Sequence, residues 1–436
     1  MEHVPTRTNP SWRWAVCAML FFATSINYMD RQVLGILSPT LQHTVGWSEK
    51  QYGYIIAAFQ IAYAAGLLLA GRLIDRFGTR VGYAVVMAFW SVAAASHAAA
   101  RSALSFGVAR FFLGLGESGN FPAALKATAE WFPRNERSTA VGIFNSGSNV
   151  GAILAPLLVP WIALRFGWPY AFLCTSGFSA LWLTLWLIRY RNPMSEAPAE
   201  SGDEDASHCE TEPAPIPLTR LLLRRQLWAY PMGKFLTDPV WWFYLYWLPK
   251  FFDARYHVSL LQLGIPLIVV YNASALGSLL GGWLPSALHH RGIAISRARL
   301  TTMLLCACAA LPVLFADRVP SVWAAVALLS LAAAAHQGWS ANLLTVPSDL
   351  FPKSAVATVA GIGGTAGSIG GVLFAIVTGW ILDVTRRYGL LFAVAGGAYL
   401  LALLCVALLA PGLRGPDLDS KSGDCARESD LGCVQS

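Results

Sequence analysis

Four polar residues stand together in an apolar run near the start of the chain: Asn27, Tyr28, Asp30 and Arg31. On a helix, Asn27, Tyr28 and Arg31 fall on one face, three or four residues apart. An arginine fork suits a carboxylate. Asp30 beside it reads either as a proton carrier or as the counter-charge of an empty anion site. Arg110 and Glu117 lie two turns apart on one stripe of a second run, which continues to Asn120. Burial disfavours a charged carboxyl and a nearby arginine favours it. A glutamic acid held between these effects can load and release a proton as its access to water changes. The plainer alternatives are a structural ion pair at Asp30–Arg31, or a fixed Arg110–Glu117 or Arg31–Glu117 pair.

The second half of the chain offers different chemistry. Lys234 and Asp238 are one turn apart and either neutralise each other or meet a ligand directly. Pro239 follows and predicts a bent or unwound turn. Trp241, Trp242, Tyr246 and Trp247 come next, more aromatics than an interfacial belt needs, and one or more could pack against a sugar ring. Further on, His336, Gln337, Trp339, Ser340 and Asn342 mix donors, acceptors and an aromatic floor, as hydroxyl-rich ligands require. His336, Trp339 and Ser340 share one face, and Trp339 and Asn342 another pairing. Tyr63, Asn145 and Ser148 could add hydrogen bonds or simply pack. Asp75, Arg76 and Arg80, within Gly71–Arg80, read as gating and topology charges at a short turn between helices, and Glu130 and Arg137 flank a second such turn.

The elements that must position these residues are membrane helices. Of 436 residues, 56% are hydrophobic and only 13% charged, against about 25% charged in a soluble domain. This excludes a disordered chain or a set of soluble domains. A spanning helix needs roughly 20 mainly apolar residues. Twelve such stretches are predicted, at about 14–38, 50–72, 80–100, 104–130, 138–163, 169–190, 228–252, 260–286, 299–316, 320–347, 355–383 and 389–411. The net charge of +7 would suggest nucleic acid in a soluble protein, but its distribution reads as topology. With the N-terminus inside, 19 basic residues fall on the cytoplasmic side and eight, Lys50 and Lys250 among them, on the outer side. Arg31, Arg110, Lys126 and Lys234 lie inside predicted helices. Both termini are placed in the cytoplasm. The eight cysteines form no metal-type pattern and read as fillers and free thiols.

Residues 191–227 form a Pro-, Ser- and acid-rich linker followed by a basic stretch, and 413–436 a polar tail. They leave two six-helix halves, 1–190 and 228–412. Offset by 219 residues, Glu130-Trp-Phe-Pro133 falls on Asp349-Leu-Phe-Pro352, and Gly119, Gly142 and Gly151 fall on Gly338, Gly361 and Gly370. The fold class is therefore an all-α polytopic membrane protein with two pseudo-symmetric halves, a known transporter plan. Gly147 and Gly151, then Gly363, Gly367 and Gly371, recur at i,i+4 and clear a helix face for close packing.

These runs resemble a known family. The GRLIDRFGTR turn, the two halves and the acidic linker are similar to the major facilitator superfamily. NYMDR, ARFFLGLGESGNFPAALK and EWFPRNERSTAVGIFNSGSNVGA resemble its anion:cation symporter family, and WSEKQYGYIIAAFQIAY, TDPVWWFY and AHQGWSANLLTVPSDLFP the bacterial hexuronate transporters within it. The likeness covers 13–412. It implies proton-coupled uptake of a sugar acid, most closely galacturonate or glucuronate, by alternating access in the inner membrane. It implies no enzyme activity, cofactor or metal, and a monomer whose partners are the substrate, protons and lipid. By position, Arg31 matches the family's carboxylate-binding arginine, Asp30 and Glu117 its proton-linked acids, and Tyr28, Tyr63 and Arg110 other site positions. Where the family often carries Gln this chain has Ser148, and where it often carries Asn in helix 11 this chain has Gly363–Gly364. A site with fewer amides holds hydroxyls differently. Other readings are an aldonate or aldarate symporter, an anion exporter or antiporter, and a non-transporting membrane sensor.

Overall fold

The computed structural model describes residues 10–191 and 218–413, which are helical with no strand among them. The linker run 192–217 and the tail from 414 lie outside the described residues. The N half contains α1 (Pro10–Val45), α2 (Glu49–Ser96), α3 (Ala103–Glu117), α4 (Asn120–Trp131), α5 (Arg134–Phe166) and α6 (Trp168–Arg189). A short α7 (Leu218–Leu222) leads to the C half: α8 (Ala229–Tyr256), α9 (Gly264–His290), α10 (Ile295–Ala310), α11 (Val322–Leu343), α12 (Val346–Leu350), α13 (Lys353–Thr385) and α14 (Gly389–Leu409).

These elements make the twelve predicted spans, with three adjustments. The second and third spans join in α2, where Gly78 turns the chain at φ +76°, a conformation only glycine adopts without strain. The fourth span breaks between α3 and α4 at Ser118–Gly119, so Glu117 ends a helix instead of sitting in mid-helix. The tenth also breaks, between α11 and α12 at Leu344–Thr345, about two turns beyond the repeat equivalent of the first break. Among the described residues, eight helical stretches are long and apolar enough to cross a membrane by themselves. Absent from that set are α1, the opening of α2, the interrupted α3–α4 segment and α8, the segments that hold the buried charges of the core.

Pseudo-symmetry is visible in the packing. Helix α1 packs on α5 as α8 packs on α13, and α2 on α3 as α9 on α11. The glycine stripes serve these contacts. Gly151 lies against the Ser25 carbonyl of α1, and its repeat partner Gly370 against the Phe235 carbonyl of α8. Phe235 is four residues before Pro239, so that carbonyl has lost its helical donor. The predicted unwinding at Pro239 does not occur: α8 stays helical throughout, with Gly370 packed closely over the freed carbonyl. The described part of the expected linker is also less free than its composition suggests, since Leu221 and Leu227 are buried.

The halves meet along α2–α13, α1–α8 and α5–α9. Three hydrogen-bonded contacts cross between them among the described residues. Lys250 Nζ donates to Glu49 Oε2 at 2.5 Å, the Glu49 backbone N–H to Asp383 Oδ1 at 3.1 Å, and the Tyr52 hydroxyl to the Tyr246 carbonyl at 2.8 Å. All lie toward the end where α1 turns into α2. Close backbone approaches of Gly53 and Gly379 seal the same end. No hydrogen bond or ion pair among the described residues bridges the halves at the opposite end, which carries the Gly78 turn. The hydrogen-bonded closure between the halves lies at one end of the bundle. Lys250, expected as an outer-loop charge, is buried in this closure.

Candidate functional site

Asp30 and Arg31 are neighbours in sequence, and α1 aims them apart. Asp30 turns to α6, where the Ser179 hydroxyl donates to its Oδ2 at 3.2 Å. Arg31 turns to α3, where it meets Glu117 Oε2 through Nε at 3.0 Å and Nη2 at 2.9 Å. The counter-charge of Arg31 is therefore Glu117. Both partners are buried, with 1% and 0% of their surface exposed. Glu117 occupies the C-terminus of α3, the negative end of the helix dipole, and the Arg31 guanidinium supplies the positive charge such an end favours. Asn27 Oδ1 accepts a further bond from Arg31 Nη2 at 3.3 Å. Arg110 does not pair with Glu117. Its Nη2 donates to the Arg31 backbone carbonyl at 2.7 Å.

Aromatic rings enclose the arginine. The Arg31 guanidinium lies 4.9 Å from the ring centres of Tyr28 and Tyr63, 5.2 Å from Phe59 and 5.3 Å from Trp242. Trp242 belongs to the C half, so the cage is completed across the interface. Arg110 sits 4.8 Å from Phe59 and 5.4 Å from Tyr246, which also comes from the C half. Such cation–π contacts contribute about 0.5–2 kcal/mol each, more when desolvated.

Several buried polar atoms here lack a protein partner: Asp30 Oδ1, Glu117 Oε1, Arg110 Nε and Nη1, the Tyr246 hydroxyl and both amide atoms of Gln60. Buried polar groups are normally satisfied. Glu117 Oε1 and Arg110 Nε and Nη1 are such atoms beside the buried ion pair. Gly371 of α13 faces Gln60, leaving the amide unobstructed by a side chain.

The C half is arranged differently. Lys234 Nζ and Asp238 Oδ2 are 2.6 Å apart, with 15% and 19% of their side chains exposed. The neighbouring tryptophans diverge. Trp242 faces Arg31, whereas Trp241 stacks on His336 with ring centres 5.3 Å apart. His336 Nδ1 is 2.8 Å from the Tyr399 hydroxyl. Of the predicted α11 residues, Gln337 is half-buried. Trp339 and Asn342 correct the expectation of substrate contact. Trp339 is wholly buried beside Tyr399, and Asn342 donates to the Gly281 and Gly338 carbonyls, tying α9 to α11. Their contacts in this structure run to α9 and α14. On α5, Asn145 is exposed and Ser148 donates to the Asn145 carbonyl at 2.7 Å.

The turn charges lie at the end opposite the closure. Asp75 pairs with Lys126 at 2.9 Å, and Arg80 donates to the Leu187 carbonyl at 2.7 Å. Arg76 is exposed, 5.8 Å from the Phe77 ring. Glu130 accepts from Thr79 at 2.6 Å and from Tyr190 at 3.0 Å. Burial and the Glu130 carboxylate push the Tyr190 hydroxyl above its ordinary pKa, so it remains a donor. Asp349, the repeat partner of Glu130, is ion-paired with Arg299, the repeat partner of Arg80. Arg137 does not join Glu130. It caps α4 through the Phe132 and Ala129 carbonyls.

Two parallel six-helix halves, closed at one end around a buried arginine site, define a membrane transporter architecture. The chain belongs to the Major Facilitator Superfamily, whose family model matches residues 20–375. It is 33% identical over 402 residues to the hexuronate transporter of Escherichia coli (strain K12), covering 90% of this chain and 93% of that one. It is 34% identical over 280 residues to the galacturonate transporter of Dickeya chrysanthemi, covering 63% and 81% respectively. A probable galactarate/D-glucarate transporter of Bacillus subtilis (strain 168) is 28% identical, covering 96% of both chains. Among solved structures, the inward-open xylose transporter XylE from E. coli superposes with a TM-score of 0.71 at 16% identity, covering 92% of this chain and 96% of that one. A D-xylose-proton symporter gives 0.73 at 16% identity, covering 92% and 98%. The protein is thus a multi-pass membrane protein of this superfamily.

Proposed function

We propose that the protein imports a sugar acid, a hexuronate such as galacturonate or glucuronate, together with a proton, by alternating access across the bacterial inner membrane. The observation that carries this is the buried Arg31–Glu117 pair, set in a cage of rings drawn from both halves. The names of the hexuronate and galacturonate relatives supply the substrate class.

The geometry makes proton and substrate mutually dependent. Arg31 is the cation best placed for a substrate carboxylate, and Glu117 already occupies it. Taking one partner from a buried ion pair leaves an uncompensated charge and costs about 3–5 kcal/mol. A proton on Glu117 removes that penalty and frees the guanidinium. Substrate then binds at Arg31 while Tyr28, Tyr63 and Trp242 pack around the sugar. Asp30, with one oxygen unpartnered, is a second acid on the proton path. Trp242 belongs to the other half, so substrate binding also bears on how the halves sit. A ligand moves such an equilibrium only through different affinities for the two arrangements. By the basic-residue bias the hydrogen-bonded end faces outward and both termini face the cytoplasm, and a single chain suffices for the site. Uptake of labelled galacturonate into proteoliposomes, with and without an inward proton gradient, tests the proposal. Gradient-stimulated accumulation is expected, and uptake indifferent to the gradient contradicts proton coupling.

A further inference from the structure

We propose that the Lys234–Asp238 pair sets how many carboxylates the site accepts, so that this carrier takes sugar acids with one carboxylate and discriminates against those with one at each end. The inference deepens the sugar-acid reading above and rests on it.

The pair is placed to meet a substrate. It lies on α8 one to two turns from Trp242, the ring that closes the arginine cage. Both side chains of the pair stay partly open, with 15% and 19% exposed. Its shape is fixed by the neighbouring helix. A Cβ at Gly367 of α13 would press on the Asp238 carboxylate, and one at Gly363 on the Tyr230 ring.

The charges then decide. Around the centre, Arg31, Arg110 and Lys234 face Asp30, Glu117 and Asp238, three positive groups against three negative. One proton on an N-half acid leaves a single unit of positive charge, which one carboxylate cancels. A second carboxylate at the far end of the substrate would need another cation. Lys234 is the one cation that the described interior of the C half offers between its two ends, because Lys250 is held by Glu49 at the closure. Asp238 already neutralises Lys234 at 2.6 Å. An ionised carboxylate only accepts hydrogen bonds. Asp238 therefore welcomes the hydroxyls of a sugar and repels a second anion.

The test compares galacturonate, with one carboxylate, and galactarate, with two, in proteoliposomes. Asp238→Asn preserves shape and frees Lys234. It should raise the ratio of galactarate to galacturonate uptake about tenfold or more. Adding Lys234→Met to Asp238→Asn should remove that gain. A ratio within about twofold of the native protein, or a gain that survives loss of Lys234, would overturn the inference. If Asp238→Asn moves neither compound, calorimetric binding of galactarate to the purified variant decides: tighter binding than to the native protein supports the inference, and unchanged affinity overturns it. Native protein that moves no sugar acid removes the functional reading and this inference together. Native protein that takes up galacturonate, with an unchanged ratio in the variant, removes the inference alone.

Discussion

The two halves share a fold and divide the chemistry. In the N half, an arginine and a glutamic acid from different helices meet in full burial, surrounded by polar atoms without partners. In the C half, a lysine and an aspartic acid one turn apart on the same helix neutralise each other in partial exposure, and the remaining surface is aromatic. A pair assembled between helices can be opened by a proton or a ligand with consequences for how those helices sit. A pair within one turn opens with no such leverage. On the proposed function, the N half holds both the proton-linked acid and the carboxylate-binding arginine, and the C half adds Trp242 and the Lys234–Asp238 pair.

The comparison can be broken most severely at Arg31. Arg31→Ala should lower uptake by about a hundredfold or more while the protein still reaches the membrane, since it removes the carboxylate partner and leaves Glu117 buried alone. Near-normal uptake would end the assignment of the anion site to the N half. A smaller effect is expected at the shared wall. Trp242→Ala should raise KM for galacturonate roughly tenfold through loss of a cation–π contact and ring packing, whereas Trp241→Ala, one position along, should change KM less. Equal effects would mean that the rotation of α8 described here is not the transporting one.

The closure gives a third test. Lys250→Met should loosen the sealed end. In a protein whose eight native cysteines are replaced, a cysteine at Ser38, now fully buried, should become several-fold more reactive to an impermeant thiol reagent. Unchanged reactivity would remove the Lys250–Glu49 pair from the gate. The smallest expected effect on transport is at Asn342. Asn342→Ala should leave KM within about twofold and lower thermal stability by about 1 kcal/mol, because its amide ties α9 to α11. A large KM change would return it to the substrate site.

Much of this was legible in the sequence. Long apolar runs gave the spans, and the matched acid-x-Phe-Pro turns gave the repeat, although Arg80 binds the Leu187 carbonyl where its repeat partner Arg299 pairs with Asp349. Ionisable residues inside apolar runs gave Arg31, Asp30, Arg110 and Glu117. What stayed hidden depended on helix rotation and long-range pairing. Trp241 and Trp242 are chemically identical, and only the rotation of α8, set by packing on α13, sends one to His336 and the other to Arg31. Trp339 and Asn342 looked like site residues because their types suit a sugar, yet their face of α11 turns inward to α9 and α14. Lys250 and Glu49 are 201 positions apart. Lys250 read as an outer-side charge, and no local pattern joins it to Glu49.

The central claim is that Glu117 alternates between holding Arg31 and holding a proton. Glu117→Gln is neutral at every pH, so it mimics the protonated acid and cannot cycle. In proteoliposomes this variant should still exchange internal for external galacturonate, at near-native affinity, while losing accumulation driven by an inward proton gradient. Gradient-driven accumulation equal to that of the native protein would contradict the claim.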